Sequence, residues 1–270
     1  MISPIELYLD LLKRSLTNWL HADAETRDVP AESFVRPELL GAFRAKQLRV
    51  VQPQRFEPQA REEGRDWPPT ALTMIGMKRL HHLQNCVERV LRDKVPGDLI
   101  ETGVWRGGAC ILMRAVLKAH AISDRRVWVA DSFAGVPPPD TSKYPQDAGM
   151  ELHKFPYLAV SAEQVKAHFE RYGLLDAQVQ FLVGWFRDTL PNLPAAKLAV
   201  ARLDGDLYES TLDALSNLYP KLSCGGYLIV DDYGVIEACR RAVHDYRSRH
   251  GISEPIEPID HSGVFWRRAR

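Results

Sequence analysis

Acidic residues gathered at the ends of short apolar runs are the chemically loaded feature of this 270-residue sequence. Asp204-Gly205-Asp206 closes one run and Asp231-Asp232 closes another. Carboxylates brought together repel one another unless a cation or a raised pKa relieves them. A hard divalent cation with oxygen ligands, Mg²⁺ above all, does so most directly. A purely structural reading of the same acids has Asp206 capping the helix that follows and Asp232 opening a turn. A third run, Val127 to Phe133, ends in Asp131, and an acid at that place can accept both hydroxyls of a ribose. A fourth leads through Glu101-Thr102-Gly103-Val104-Trp105-Arg106-Gly107-Gly108 into a helix whose free N–H groups suit a carboxylate or phosphate. This is not G-x-G-x-x-G. Gly103 to Asp131 is 28 positions, longer than the dinucleotide spacing of about 20, which disfavours a nicotinamide enzyme.

Positioning these tails requires strands. The apolar runs are Asp98 to Val104, Arg126 to Phe133, Val179 to Trp185, Leu198 to Asp204 and Tyr227 to Asp231. Helical spacing fills the intervals at Gly108 to Ala121, Ser161 to Tyr172 and Ser210 to Leu222, and again at Val235 to His250. Strand-helix alternation of this kind predicts βαβ units, hence an α/β fold with a mostly parallel sheet and helices on both faces. Gly225-Gly226 reads as a helix-to-strand turn, and Pro255 to Trp266 as a terminal hairpin adding antiparallel strands. Upstream, Glu6 to Leu20 and Thr73 to Lys94 read as amphipathic helices, with Pro96-Gly97 stopping the second. Between them, His21 to Pro69 is rich in charge and proline, shows no sustained period and reads as irregular. The division expected is residues 1–72, an N-terminal helix with a variable segment on the oligomer or acceptor side, and residues 73–270, the catalytic domain.

Composition excludes several classes. Thirty-five basic against thirty-five acidic residues leave no net charge, so no global field favours nucleic acid or an anionic membrane. The longest apolar runs are far too short to span a bilayer, and Glu6, Asp10, Lys13 and Arg14 occupy the place of a signal peptide's apolar stretch. A cytoplasmic protein is expected. Cys86, Cys110, Cys224 and Cys239 form no C-x-x-C pair or zinc spacing and read as reduced structural thiols.

Taken together, these tails resemble the macrocin-type O-methyltransferases, the family of sugar-methylating enzymes in mycinamicin, tylosin and novobiocin biosynthesis. The resemblance rests on Leu7 to Arg14, Thr73-Met74-Ile75-Gly76, Gly97 to Gly108 and Trp128 to Phe133. It continues through Tyr144-Pro145 with Asp147-Ala148-Gly149, Leu203 to Ser210, and Gly225-Gly226-Tyr227 through Gly234. It implies a Rossmann-like class I methyltransferase fold using S-adenosylmethionine and Mg²⁺. By the same resemblance, Glu101, Thr102, Gly103 and Arg106 approach the methionine end of the cofactor. Asp131 with Ser132 takes the ribose, and Gly184, Trp185 and Phe186 lie near the adenine. Asp204, Asp231 and Asp232 are implied as metal ligands, and Asp206 as the base acting on the accepting hydroxyl.

The chemistry is coherent. Methyl transfer from a sulfonium needs the acceptor oxygen in line with the sulfur–methyl bond, so positioning two bound reactants supplies much of the catalysis. A cation orients a sugar hydroxyl and lowers its pKa, and a carboxylate removes the proton. The stretch from Gly135 to Val160, with Tyr144, Asp147, His153 and Phe155, is a lid candidate. The partners expected are a small glycosylated acceptor and further copies of the chain, as a dimer or tetramer, with Leu11, Leu12, Leu16 and Trp19 on the contact face. The alternative is a metal-dependent glycosyltransferase using Asp-Gly-Asp against a nucleotide diphosphate. Mostly acidic tails suit a cationic sulfonium better.

Overall fold

The computed structural model describes residues 2–29 and 37–269. The helices are α1 (Pro4–Leu16), α2 (Pro37–Ala45), α3 (Pro58–Glu63), α4 (Met77–Arg92), α5 (Gly108–Ala119), α6 (Ala162–Arg171), α7 (Phe186–Thr189), α8 (Tyr208–Leu218) and α9 (Glu237–His250). The strands are β1 (Thr26–Asp28), β2 (Val51–Pro53), β3 (Asp98–Thr102), β4 (Val127–Asp131), β5 (Val179–Val183), β6 (Leu198–Leu203), β7 (Leu222–Val230), β8 (Glu257–Pro258) and β9 (Val264–Arg267).

One seven-stranded sheet runs in the order β5-β4-β3-β6-β7-β9-β8. The first five are parallel neighbours and the last two add antiparallel pairs, the terminal hairpin expected from Pro255 to Trp266. Strand order reverses between β3 and β6, whose next neighbours lie on opposite sides, so their carboxyl ends flank a crevice. Leu99, Val127, Val129 and Val200 face one apolar core with α1, α4 and α5, while Ile100, Trp128, Ala201 and Leu228 face a second with α8 and α9. Burial on both faces explains why these strands read as continuous apolar runs.

Two expectations are corrected. Gly225 and Gly226 lie inside β7, not in a turn before it. Pairing with β6 jumps from Leu198↔Leu222 to Val200↔Tyr227, so β7 bulges there. Gly225 has φ 81°, and a Cβ on Gly226 would press on the Ala199 carbonyl oxygen at 2.8 Å. The pair therefore absorbs extra residues within a strand. The stretch His21 to Pro69 is not irregular in its described parts, which hold the antiparallel β1–β2 pair, α2 and α3; residues 30–36 lie outside the described residues. These elements are too short to show a period, and polar contacts organise them. The Arg61 guanidinium, 2% exposed, pairs with Glu25 at 2.9 Å and Asp66 at 2.6 Å and donates to the Thr17 carbonyl at 2.7 Å.

The amphipathic stripe of α1 also divides. Leu9, Leu12 and Leu16 are buried in the first core, whereas Leu7, Tyr8 and Leu11 are exposed. No described helix is long and apolar enough to cross a membrane.

Candidate active site

Three adjacent parallel strands deliver the site. β3 ends at Glu101-Thr102, β6 leads to Asp204-Gly205-Asp206, and β7 leads to Asp231-Asp232. Beyond β3, β4 and β6 the chain turns through a non-glycine residue of positive φ: Trp105 at 46°, Phe133 at 54° and Asp206 at 57°. Such conformations cost energy and concentrate where a site needs them. Gly103 is required where it stands. Its φ is 80°, and a Cβ would overlap the Asp204 carbonyl oxygen, so the first and third turns meet with no side chain between them.

Arg202, 2% exposed and next to last in β6, organises the carboxylates. Its Nη1 donates to Glu101 Oε1 and, at 2.8 Å, to Asp204 Oδ2, while Nη2 donates to Asp231 Oδ1. Arg79 from α4 donates to Asp231 Oδ2 at 2.5 Å and pairs with Asp260 at 2.9 Å. Neither arginine is among the residues expected from the sequence. A charged residue inside the apolar run Leu198 to Leu203 was the signal, because a buried guanidinium demands carboxylate partners.

Ligand oxygens of Asp204, Asp231 and Asp232 lie within 4.8 Å of one another. Burial, then the charge of Asp231, pushes the Asp204 carboxyl up to about 6. Burial and the neighbouring acids, Asp206 first, push Asp232 well above the usual carboxylate range. Burial would raise Asp231 too, but Arg202 and Arg79 outweigh it and hold that carboxyl low. Asp206 rises to about 7 through burial and the charges of Asp204 and Asp231. Six carboxyls, Asp260 included, thus gather about two guanidiniums here, and the donors are all oxygen. That set fits a hard divalent cation, since each Asp231 oxygen retains a lone pair beyond its bond to arginine.

Asp206 does not cap the next helix. The first N–H groups of α8 are taken by Asp147, whose carboxylate accepts from Tyr208 at 2.6 Å and Glu209 at 3.1 Å. Asp206 instead donates its backbone N–H to Asp232 Oδ2 at 3.3 Å, and its carboxyl remains without a hydrogen-bond partner among the described residues.

Two cavities open on these tails. The first is lined by Asp131, Ser132, Trp185 and Phe186, with Gly135 to Pro137 and with Glu209, Ser210 and Asp213. The second is lined by Glu101, Asp231 and Asp232, by Arg65 and Trp67, and by His261 and Ser262. Both are lined by Gly103, Trp105, Asp204 and Asp206.

The remaining expected residues are distributed unevenly. The Asp131 carboxylate already accepts from Val104 N–H and Phe133 N–H, each at 2.7 Å, so it braces two turns while facing the first cavity. Glu101 accepts from the Cys110 thiol at 2.9 Å as well as from Arg202, and burial pushes it up to about 7. Thr102 is fully buried. Gly184, at φ 139°, turns the chain towards Trp185. Arg106 lines neither cavity; its guanidinium donates to the Pro69 and Ala71 carbonyls, both at 2.7 Å. His153 is exposed and outside both. The lid candidate is pinned mid-way by Asp147 and again where Trp105 Nε1 donates to the Tyr157 carbonyl at 2.9 Å.

Residues 5–268 match the family model for macrocin O-methyltransferase (TylF). The chain belongs to that family. It is 57% identical over 97% of its length to 8-demethyl-8-(2,3-dimethoxy-alpha-L-rhamnosyl)-tetracenomycin-C 4'-O-methyltransferase of Streptomyces olivaceus, covering 92% of that protein. It is 51% identical over 98% of its length to mycinamicin III 3''-O-methyltransferase of Micromonospora griseorubida, covering 97% of it. The solved O-methyltransferase NovP superposes with a TM-score of 0.86 at 48% identity, over 98% of this chain and 100% of that one. The fold is that of the class I methyltransferases, and the enzyme is an O-methyltransferase. The glycosyltransferase alternative finds no support among these relatives.

Proposed function

We propose that this macrocin-family enzyme moves a methyl group from S-adenosylmethionine to a sugar hydroxyl of a glycosylated natural product, with Mg²⁺ at Asp204, Asp231 and Asp232. One observation carries the reading: two cavities share a wall that contains Asp204 and Asp206. A donor in one and an acceptor in the other would present their reacting atoms to each other across that wall, and in-line transfer needs such an arrangement.

The first cavity suits the donor. Asp131 and Ser132 supply acceptors for a ribose, and Trp185 and Phe186 supply flat apolar surface for an adenine. Asp204 and Asp206, beyond β6, line this cavity and offer negative charge to a sulfonium. Gly103, packed against the Asp204 carbonyl, brings the turns beyond β3 and β6 together in the wall of this cavity. The braced carboxylate of Asp131 keeps lone pairs for hydroxyl donors.

The second cavity suits the acceptor. A bound divalent cation would supply charge that orients the hydroxyl and lowers its pKa. Asp206 has a carboxyl free of hydrogen bonds and stands on both walls, so it takes the hydroxyl proton as carbon–oxygen bond formation proceeds. Arg202 and Arg79 hold Asp204 and Asp231 in place. Residues 1–72 form the variable acceptor-side region and residues 73–270 the methyltransferase domain; Arg65 and Trp67 support that division by lining the acceptor cavity. Exposed Leu7, Tyr8 and Leu11 support a homo-oligomer.

The test is incubation with S-adenosylmethionine, Mg²⁺ and the glycosides named for the two curated relatives, read by mass. A net gain of one CH2, a methyl in place of a hydroxyl hydrogen, on the sugar of either is expected. Methylation confined to the aglycone would overturn the sugar assignment, and no methylation of either would reject the acceptor class.

A further inference from the structure

The terminal hairpin does more than extend the sheet. Its turn, residues 259–263, is fastened to the acidic tails by side chains and backbone together. Asp260 pairs with Arg79, the guanidinium that also holds Asp231. Asp260 Oδ1 accepts from Ser262 N–H at 2.9 Å and Gly263 N–H at 2.7 Å. Ser262 Oγ donates to the Asp231 carbonyl at 2.7 Å, and Gly234 N–H donates to the Ser262 carbonyl at 2.7 Å. The approach is so close that a Cβ on Gly234 would overlap the His261 carbonyl oxygen.

One side chain of this turn is left uncommitted. Asp260 and Ser262 are spent on fixing the turn, whereas the His261 imidazole is exposed, lines the second cavity and makes no hydrogen bond or ion pair among the described residues. A turn braced this thoroughly is out of proportion to joining β8 and β9, which a two-residue loop can do. It does fix the one free side chain relative to Asp231.

We infer that His261 is a specificity-determining residue that hydrogen-bonds a hydroxyl of the acceptor sugar other than the one methylated. The inference rests on the acceptor reading of the second cavity. An imidazole offers one donor and one acceptor, matching a hydroxyl, which is both. Its backbone abuts Gly234, two residues beyond Asp232, so its reach falls on the sugar held at the carboxylates. The turn therefore reads the sugar from the antiparallel edge of the sheet, beyond β7.

The experiment compares wild type, His261→Ala, His261→Gln and Val235→Trp with the rhamnosylated tetracenomycin of the Streptomyces olivaceus relative and with mycinamicin III. Donor affinity is measured separately by calorimetry with S-adenosylhomocysteine. His261→Ala is expected to raise acceptor KM roughly three- to tenfold, as loss of one neutral hydrogen bond implies, with kcat and donor affinity little changed. His261→Gln should recover part of the loss. Val235→Trp, which crowds the same cavity from an exposed position, should raise acceptor KM as well. If Val235→Trp raises KM and His261→Ala does not, the His261 assignment falls and the cavity reading stands. If neither variant changes acceptor KM, or wild type methylates neither glycoside, the cavity or acceptor reading has failed and the proposal falls with it.

Discussion

The carboxylate of Asp147 caps α8 by accepting the backbone N–H of Tyr208 at 2.6 Å across 61 positions of sequence. Helix α8 starts two residues after Asp206, and a local cap would have drawn Asp206 or its neighbours into that duty. A fully buried acid from the segment after β4 serves instead.

Asp147→Ala should therefore cost about 2 kcal/mol, the upper range for a lost N-cap, and lower Tm by roughly 4 to 8 °C. It should also lower kcat, because the start of α8 anchors the Asp206 turn. Asp147→Asn, which keeps one acceptor, should lose less of both. Thermal unfolding and steady-state kinetics on the two variants check this; equal stability of Asp147→Ala and wild type would show that water replaces the cap.

Asp204 and Asp206 divide their labour under the proposed function. Asp206→Asn should lower kcat by roughly 10²–10⁴ while leaving calorimetric Mg²⁺ and donor affinities nearly intact, as expected for a missing general base. Asp204→Asn should weaken Mg²⁺ binding, and excess Mg²⁺ should partly restore its rate. Rescue of Asp206→Asn by added metal would exchange the two roles.

His82 gives a pH dependence separate from the site. Its ring lies 4.2 Å from that of Phe265, and burial, then the Arg89 charge, lowers its pKa from 6.5 to about 4. Between those values the unfolded chain binds the proton that the folded chain refuses, so stability present above pH 6.5 is lost as pH falls towards 4. The loss is on the order of 3 kcal/mol. Urea midpoints across that range should decline less steeply for His82→Leu than for wild type. Parallel slopes would assign the acid lability to other groups.

The sheet was legible because its strands are buried on both faces and punctuated by turns and acids. Their order along the chain sufficed to place Asp131, Asp204 and Asp231 at strand ends. Other parts left weaker traces. The β7 bulge was hidden because Gly225-Gly226 has the composition of a turn, and only pairing with β6 distinguishes the two. The ordering of the segment before Pro69 depends on Arg61 meeting Glu25 and Asp66, a contact without periodicity. Arg106 sits in the same motif as Gly103, yet its turn sends it towards Pro69 and Ala71. His261 and Asp147 act through proximity between distant stretches, which spacing does not encode.

The second cavity, the acceptor site under the proposed function, has two kinds of wall. Its acidic half comes from strand ends interlocked through Arg202 and the bare backbone of Gly103. Its other half comes from Arg65 and Trp67 before the sheet and His261 after it. Such an enzyme behaves as a fixed chassis with an exchangeable rim. Retuning it towards a new glycoside should begin by grafting the stretch around 64–67 and the turn at 259–263 together, keeping Arg79 and Asp260 as the bolts, while the strand ends stay untouched.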